Sequence, residues 1–241
     1  MERLEEARKR LQEARRVAVL TGAGISKPSG IPTFRDAEGL WKEFNPLDYA
    51  TPEAYARDPE KVWAWYAWRI RKVREARPNP AHHALVELER WVLERGGSFL
   101  LVTQNVDGLH ALAGSQNLVE LHGNLFRARC EACGRRFPLP EAFSPPPLCP
   151  ECGHRARPDV VWFGELLPEG AWERAERAFA EADFALVVGT SAEVEPAASL
   201  GRIAFASGAY LVEVNPEPTP LAHLSLRAGA VEGMAALLGG E

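Results

Sequence analysis

The fold of this chain is decided by the stretch VAVLTGAGIS, which covers residues 17–26. Its first four residues form an apolar run that is typical of a buried strand in a parallel sheet. The glycines that follow, Gly22 and Gly24, come where such a strand presents its carboxyl end, the edge at which open α/β sheets bind nucleotides. Without side chains they would let the backbone approach a pyrophosphate, and a helix near Ile25 would direct free N–H groups at it. The stretch therefore predicts a nucleotide-binding loop.

As a dinucleotide fingerprint the glycine pattern is incomplete, because Lys27 stands where the third glycine belongs. A tight strand-to-helix turn that binds no ligand fits the same residues. The loop alone leaves both interpretations open.

Strand and helix patterns alternate along most of the chain. Apolar strands are predicted at 17–20, 99–102, 118–121, 184–188, 210–214 and 224–226, and helices at 2–15, 80–95, 170–182, 196–207 and 231–238. The α/β pattern resumes near residue 159 after an interruption. This alternation predicts an α/β fold with a doubly wound parallel sheet.

Two stretches interrupt the alternation. Residues 36–77 are rich in aromatic and charged side chains and carry helix-start signals at Thr51 and Asp58, which indicates a helical insertion over a cleft. Residues 124–158 contain all four cysteines. We therefore expect a small domain made of these two stretches and a large domain made of residues 1–35, 78–123 and 159–241.

Composition and charge limit the classes of function. The chain has 241 residues, 46% of them hydrophobic, and a formal net charge of -5 at pH 7. The acidic balance argues against nucleic-acid binding through a broad basic surface. No apolar run is long enough to cross a bilayer, and the first residues are charged where a signal peptide needs an apolar core, so we expect a cytoplasmic protein.

All four cysteines fall in two Cys-x-x-Cys pairs, Cys130 with Cys133 and Cys149 with Cys152. This spacing is typical of a structural zinc ribbon. Two disulfides or a redox pair are the alternatives; a cytoplasmic location disfavours disulfides, and the second pair at ribbon distance disfavours a redox motif. We predict one Zn²⁺ ion held by four thiolates, with no open position for a catalytic water.

Polar residues follow two of the predicted strands. Asn105 and Asp107 come after the second strand, and His122 separates the third strand from Gly123. Because parallel strands end at one edge of a sheet, these side chains are expected to converge on one crevice. An imidazole there could act as a general base near neutral pH, although a structural histidine is the alternative.

Together these stretches resemble the sirtuins, the NAD-dependent protein-lysine deacylases. The resemblance spans about residues 17–230, in the family's order, and rests on GAGIS (22–26), SGIPTFR (29–35), TQNVDGLH (103–110), LHG (121–123), the two cysteine pairs, FGE (163–165), GTS (189–191) and VNPE (214–217). It implies a Rossmann-like large domain and a small domain of zinc ribbon plus helices. NAD and the acyl-lysine would enter the cleft between them from opposite sides.

The resemblance also implies roles for residues that match the family's positions. His122 matches the general base, and Asn105 belongs to the same catalytic set. NAD would be bound by Gly22, Ala23, Gly24, Phe34, Arg35, Gln104, Asn105, Asp107, Gly189, Thr190, Ser191 and Asn215. The substrate backbone would pair as an added strand with Val161, Phe163, Gly164 and Val194.

The implied chemistry is acyl transfer to NAD. The acyl oxygen attacks C1′ of the nicotinamide ribose and nicotinamide leaves. His122 then deprotonates a ribose hydroxyl, while Phe34 shields the intermediate from water. The products would be free lysine, nicotinamide and O-acyl-ADP-ribose.

One local feature concerns the acyl group. Tyr66 and Arg69 are spaced i to i+3 on a predicted helix and so share a face. A packed aromatic beside a solvated arginine is the ordinary interpretation of such a pair. Within the resemblance, Ala50, Tyr66 and Arg69 match the subfamily whose pocket accepts succinyl and malonyl groups, which predicts desuccinylase activity comparable with or above deacetylase activity.

Two other functions fit parts of the pattern: an NAD-sensing module without turnover, and a mono-ADP-ribosyltransferase acting on protein. We expect acylated-lysine proteins as partners and neither a direct nucleic-acid partner nor a membrane. We favour a monomer.

Overall fold

The computed structural model describes residues 1–34, 39–191 and 193–239 of the chain. In these ranges the helices are α1 (Glu2–Glu13), α2 (Leu40–Glu43), α3 (Pro46–Tyr49), α4 (Pro52–Arg57), α5 (Pro59–Arg74), α6 (Pro80–Glu94), α7 (Leu109–Ala113), α8 (Ala171–Glu181), α9 (Ser199–Ala206) and α10 (Ala230–Leu238). The strands are β1 (Arg16–Thr21), β2 (Ser98–Thr103), β3 (Leu118–Glu120), β4 (Gly123–Cys130), β5 (Arg136–Pro138), β6 (Ala156–Val160), β7 (Phe184–Val188), β8 (Tyr210–Val214) and β9 (Leu224–Leu226).

The large sheet has six strands in the order β3-β2-β1-β7-β8-β9, and the pairs are parallel. This is the strand order of a Rossmann fold, whose chain reverses its winding direction between the two central strands. The predicted doubly wound sheet is confirmed. The crevice of such a fold lies where β1 and β7 end, directly before Gly22 and Gly189.

Each face of this sheet is covered by helices because the central strands are apolar on both sides. Val17 and Val19 of β1 pack into a core shared with α1, α6 and α10. Ala18 and Leu20 point to the opposite face and pack with α8 and α9. A strand buried on both faces reads as a continuous apolar run, which is why it was recognisable in the sequence.

The second sheet has three strands in the order β5-β4-β6 and is antiparallel. Its core includes Leu125 and Phe137 and is shared with the aromatic side chains of α5, such as Trp63. The sequence predicted that the α/β pattern resumes at residue 159, but Asp159 and Val160 end strand β6 of this second sheet. The alternation of the large sheet resumes only with α8. The division of the chain into two domains remains a prediction.

After β1 the chain forms two short 3₁₀ turns, Ala23–Ile25 and Lys27–Ser29, where the sequence suggested a helix near Ile25. Pro28 lies at the start of the second turn, and Gly30 ends it with a φ of 89°, in the left-handed region that favours glycine. The loop therefore turns away instead of propagating a helix.

The predicted helix starts in the insertion are confirmed. Thr51 Oγ1 accepts a hydrogen bond from Ala54 N at 3.0 Å, and Asp58 Oδ1 accepts one from Lys61 N at 3.1 Å. Within the part of the chain that the structure describes, no helix has both the length and the apolar character needed to span a bilayer.

Candidate active site

A cleft of about 1710 Å³ opens at the carboxyl ends of β1, β7 and β8 and reaches residues of α5 and of the chain after β6. Many of the predicted site residues line it: Gly22, Ala23, Gly24, Phe34, Ala50, Tyr66, Arg69, Gln104, Asn105, His122, Val161, Phe163, Gly164, Gly189, Thr190, Ser191, Val194 and Asn215. Asp107 does not line it, and Arg35 lies outside the described residues. The structure thus brings together residues that are up to 193 positions apart in the sequence, from Gly22 to Asn215.

Gly22 and Gly24 lie against the loop that follows β7. The N–H of Gly22 donates to Val188 O at 3.0 Å, and that of Gly24 donates to Gly189 O at 2.8 Å. A Cβ atom at Gly22 would lie 2.7 Å from Gly189 O, and one at Gly24 would lie 2.8 Å from the Cα of Gly189. Both glycines are therefore required by the close approach of two loops, a reason that the sequence did not reveal.

Three amide side chains connect the strand ends at the floor of the cleft. Asn105 Nδ2 donates to Gly22 O at 2.9 Å, and Gln104 Nε2 donates to Thr190 Oγ1 at 3.1 Å. Asn215 Nδ2 donates to Thr190 O at 2.7 Å. These bonds fix the loops after β1, β2, β7 and β8 relative to one another.

Asp107 is buried behind this floor. Its Oδ2 accepts from Ser26 Oγ at 2.6 Å, and its Oδ1 accepts from Leu109 N at 2.9 Å. Burial raises the pKa of the Asp107 carboxyl. Asp107 therefore holds Ser26 and the glycine loop from behind, and its assignment as an NAD-binding residue remains a prediction.

Two buried histidines complete the polar layer behind the cleft. His82 Nδ1 accepts from Asn79 N at 3.0 Å, so its Nε2 carries the proton and lies 3.3 Å from Ser26 Oγ. His110 Nε2 lies 2.8 Å from Thr21 Oγ1. Burial lowers the pKa of His82 to about 4 and that of His110 to about 3, so both rings are neutral at physiological pH. Neither ring lines the cleft, and both stabilise the glycine loop and strand β1 from behind.

His122 lines the cleft between β3 and β4. Its Nδ1 lies 3.2 Å from the carbonyl oxygen of Gln104, and because a carbonyl can only accept, Nδ1 carries the proton of the neutral ring. Burial lowers the pKa of His122, which keeps the ring neutral near pH 7. The lone pair of Nε2 is then available, as a general base requires.

Arg69 is 9% exposed and lines the cleft beside Tyr66. Its guanidinium carbon lies 5.0 Å from the ring centre of Phe34, 4.9 Å from that of Trp65 and 5.7 Å from that of Tyr66. Burial lowers the pKa of Arg69. The arginine is therefore a buried cation among aromatic rings, and the alternative of a solvated arginine is wrong.

The segment after β6 forms the opposite wall of the cleft. The N–H of Val161 donates to His122 O at 2.8 Å, and that of Phe163 donates to Ala50 O at 3.0 Å. Since these two donors are occupied, only the carbonyls of Val161 and Phe163 could pair with an added peptide strand. The predicted peptide contacts of Gly164 and Val194 remain predictions.

The comparisons with known proteins decide the family. The model of the Sir2 family matches residues 22–196, which is most of the chain. The chain belongs to the Sir2 family. The predicted resemblance to the sirtuins is thereby confirmed.

Individual Sir2 proteins support this assignment over nearly the whole chain. A Thermus thermophilus protein named NAD-dependent protein deacylase is 92% identical over 241 residues, covering 99% of this chain and 95% of its own. The structure of a Sir2 homologue in complex with NAD superposes with a TM-score of 0.89 at 48% identity, covering 98% of this chain and 92% of its own. A Sir2 structure with a deacetylated p53 peptide and 3′-O-acetyl-ADP-ribose gives a TM-score of 0.87 at 35% identity, covering 98% of this chain and 97% of its own.

In this Sir2 chain the four cysteines form a second site outside the cleft. Their Sγ atoms lie within 4.8 Å of one another, with 3.4 Å between Cys130 and Cys152 and 3.7 Å between Cys133 and Cys149. Four thiolates around one Zn²⁺ lie about 3.8 Å apart, because a tetrahedral Zn–S bond is about 2.3 Å long. The backbone N–H of Ala132 also donates to the Cys130 sulfur at 3.3 Å, which stabilises a thiolate. The cluster fits one structural zinc ion and leaves no position for a catalytic water.

Trp162 is one of the cleft residues that the sequence did not indicate. Trp162 lies in the wall and its indole N–H donates to the Tyr66 hydroxyl oxygen at 2.9 Å. The two residues are 96 positions apart, so no local sequence pattern could have paired them. Expectations about nucleic acid, oligomeric state and cellular location also remain predictions.

Proposed function

We propose that this chain removes succinyl and malonyl groups, as well as acetyl groups, from lysine side chains of proteins, using NAD as co-substrate. The coarser activity follows from membership of the Sir2 family and from the 92% identity to an NAD-dependent protein deacylase: the chain is an NAD-dependent protein deacylase. The finer preference for acidic acyl groups is supported by the chemistry of the cleft.

The observation that carries the finer proposal is the environment of Arg69. Within the described parts of the chain, no carboxylate forms an ion pair with its guanidinium, which lies among aromatic rings and is affected by the Asp107 carboxyl only through longer-range electrostatics. A buried charge without a partner is unfavourable, and a guanidinium binds a carboxylate through two parallel hydrogen bonds. A succinyl or malonyl carboxylate would supply the missing anion.

Ala50 and Tyr66 fit the same substrate. Ala50 lines the cleft with a side chain of one methyl group, which leaves room for an acyl group longer than acetyl. Burial raises the pKa of Tyr66, so its hydroxyl keeps its proton and can donate a hydrogen bond. A cation and a neutral donor would then share the acyl carboxylate.

The residues that would serve the reaction are those described above. NAD, when bound, supplies the electrophilic ribose carbon that accepts the acyl oxygen. His122, neutral and with Nε2 unprotonated, would accept the proton of a ribose hydroxyl, and Asn105, fixed to Gly22 O, would orient the ribose and nicotinamide. Phe34 would exclude water from the reacting carbon.

The test is a comparison of acyl groups on one peptide. The purified chain is incubated with NAD and acetyl-, succinyl- or malonyl-lysine versions of the same peptide, and the products are separated by mass spectrometry. We expect free lysine peptide, nicotinamide and O-acyl-ADP-ribose, with kcat/KM for succinyl equal to or above that for acetyl. Turnover of the acetyl peptide alone would reject the acidic preference and retain the deacylase.

The same reaction run with radiolabelled NAD separates the alternative functions. Label in O-acyl-ADP-ribose supports deacylation, whereas label on protein would indicate ADP-ribosyl transfer. Unchanged NAD with every acyl peptide would indicate a sensing module.

A further inference from the structure

The hydroxyl of Tyr66 has a defined hydrogen-bond partner in the wall of the cleft. Trp162 Nε1 lies 2.9 Å from Tyr66 Oη, and each of the two residues is only 2% exposed. An indole nitrogen can only donate, so Tyr66 Oη must be the acceptor in this bond.

This bond fixes the direction of the remaining hydroxyl proton. A phenol oxygen carries one proton and accepts through its lone pairs, and one lone pair is occupied by Trp162. Burial raises the pKa of Tyr66, which keeps the phenol protonated. Among the described residues no acceptor takes the Tyr66 proton, and Tyr66 lines the cleft. The proton is therefore available to an acceptor on a bound ligand.

Trp162 is itself held firmly. The guanidinium carbon of Arg157 lies 3.7 Å from the centre of its ring, and Tyr55 packs on it with 5.2 Å between ring centres. Arg157 forms two hydrogen bonds with the carboxylate of Glu165, at 2.7 and 2.8 Å, and Glu165 Oε1 accepts from Trp162 N at 2.8 Å. The indole N–H is thus directed by a buried arginine and by its ion pair.

We propose that Trp162 is a positioning residue for acidic acyl groups: its indole N–H occupies the acceptor side of the Tyr66 hydroxyl, so that the hydroxyl donates to the acyl carboxylate beside Arg69. This inference rests on the proposed acidic-acyl preference. Acetyl has no oxygen at that end, so the orientation of the hydroxyl concerns succinyl and malonyl only.

A double-mutant cycle tests the inference. Trp162→Phe keeps a ring but removes the N–H, Tyr66→Phe removes the hydroxyl, and the third variant carries both changes. For each, kcat/KM is measured on succinyl and acetyl versions of one peptide. We expect Trp162→Phe to lower the ratio of succinyl to acetyl kcat/KM by about threefold to tenfold, the range for one neutral hydrogen bond. In the Tyr66→Phe background the same change should leave that ratio unaltered.

Two further variants keep the test independent of folding. Replacement of Trp162 by 3-benzothienylalanine preserves the bicyclic shape and removes only the N–H, so it should reproduce the fall in the ratio. Trp63→Phe is the matched control, because the Trp63 N–H lies in the same core but donates to Ala156 O at 3.0 Å and not to the Tyr66 hydroxyl. It should not change the ratio.

The outcomes distinguish this inference from the function on which it rests. Effects of Trp162→Phe that are equal for both acyl groups, or that persist in the Tyr66→Phe background, would overturn the positioning role. Succinyl turnover that depends on Arg69 but not on Trp162 would leave the proposed function intact and reject this inference alone. A wild-type chain without succinyl turnover would reject both.

Discussion

Replacement of Arg69 by methionine should separate the acyl groups. Methionine keeps the length of the apolar stem and removes the guanidinium, so the change is confined to the charge that faces the cleft. A buried, hydrogen-bonded charge pair that loses one partner costs about 2–5 kcal/mol. At 1.4 kcal/mol per factor of ten, kcat/KM for the succinyl peptide should fall by about 30-fold to 4000-fold. The acetyl peptide, which has no carboxylate to lose, should change by less than about threefold.

The same substitution should have little effect on the stability of the free protein. The substitution removes a buried cation that has no described ion-pair partner, and this relieves a desolvation cost. It also removes the stacking of the guanidinium on Phe34, Trp65 and Tyr66, which costs about 0.5–2 kcal/mol for each contact. These effects have opposite sign. A loss of activity with an unchanged melting temperature would therefore report on substrate binding.

Steady-state kinetics on both peptides, with thermal unfolding of each variant, measures these quantities. Arg71→Met is the matched control, since Arg71 is an exposed arginine on the same helix. Equal losses on the succinyl and acetyl peptides would refute the assignment of Arg69 to the acyl carboxylate.

Three further predictions concern the base, the metal and the glycine loop. Burial lowers the pKa of His122, so kcat/KM for the acetyl peptide should fall with decreasing pH through a midpoint below about 6.5, the ordinary pKa of histidine. A midpoint above that value in the pH profile would contradict this prediction. Metal analysis should find one zinc per chain. The variant Cys149→Ala should lose zinc binding, and circular dichroism should show unfolding of the three-stranded sheet. Retention of one zinc per chain in this variant would contradict the four-cysteine site. Gly24→Ala should raise KM for NAD and cost about 1–3 kcal/mol of unfolding free energy, because its Cβ would lie 2.8 Å from the Cα of Gly189. Gly201→Ala, whose Cβ meets only a side-chain atom at 3.6 Å and another at 4.0 Å, should leave both quantities nearly unchanged.

The large sheet could be predicted because the sequence of its central strands itself indicates that they are buried. Val17 to Leu20 are apolar on both faces, and each such run ends in glycine or polar residues at one edge of the sheet. The family motifs then indicated which residues should line the cleft. The structure places the described members of that set around one cavity, with Asp107 behind it.

What the sequence did not reveal depends on contacts between distant residues. Strand β6 contains Arg157 and Asp159, whose polar side chains give no apolar strand pattern, and pairing with β4 makes them part of a strand. Asp159 is held there by ion pairs with Arg127 of the adjacent strand β4 and with Arg136 of β5. The position of Asp107 behind the cleft floor likewise depends on its hydrogen bond with Ser26, which lies 81 positions earlier. Local periodicity contains no information about such partners.

Strand β4 joins the two chemically specialised parts of the molecule. It begins at Gly123, directly after His122, and ends at the zinc ligand Cys130. Eight residues of extended chain span about 26 Å, so the metal site lies far from the cleft and yet is joined by one continuous strand to His122, the proposed general base. Loss of the metal would therefore distort β4 and displace the imidazole of His122. Inhibition by a chelator would follow from this connection and would say nothing about metal-assisted chemistry in the cleft.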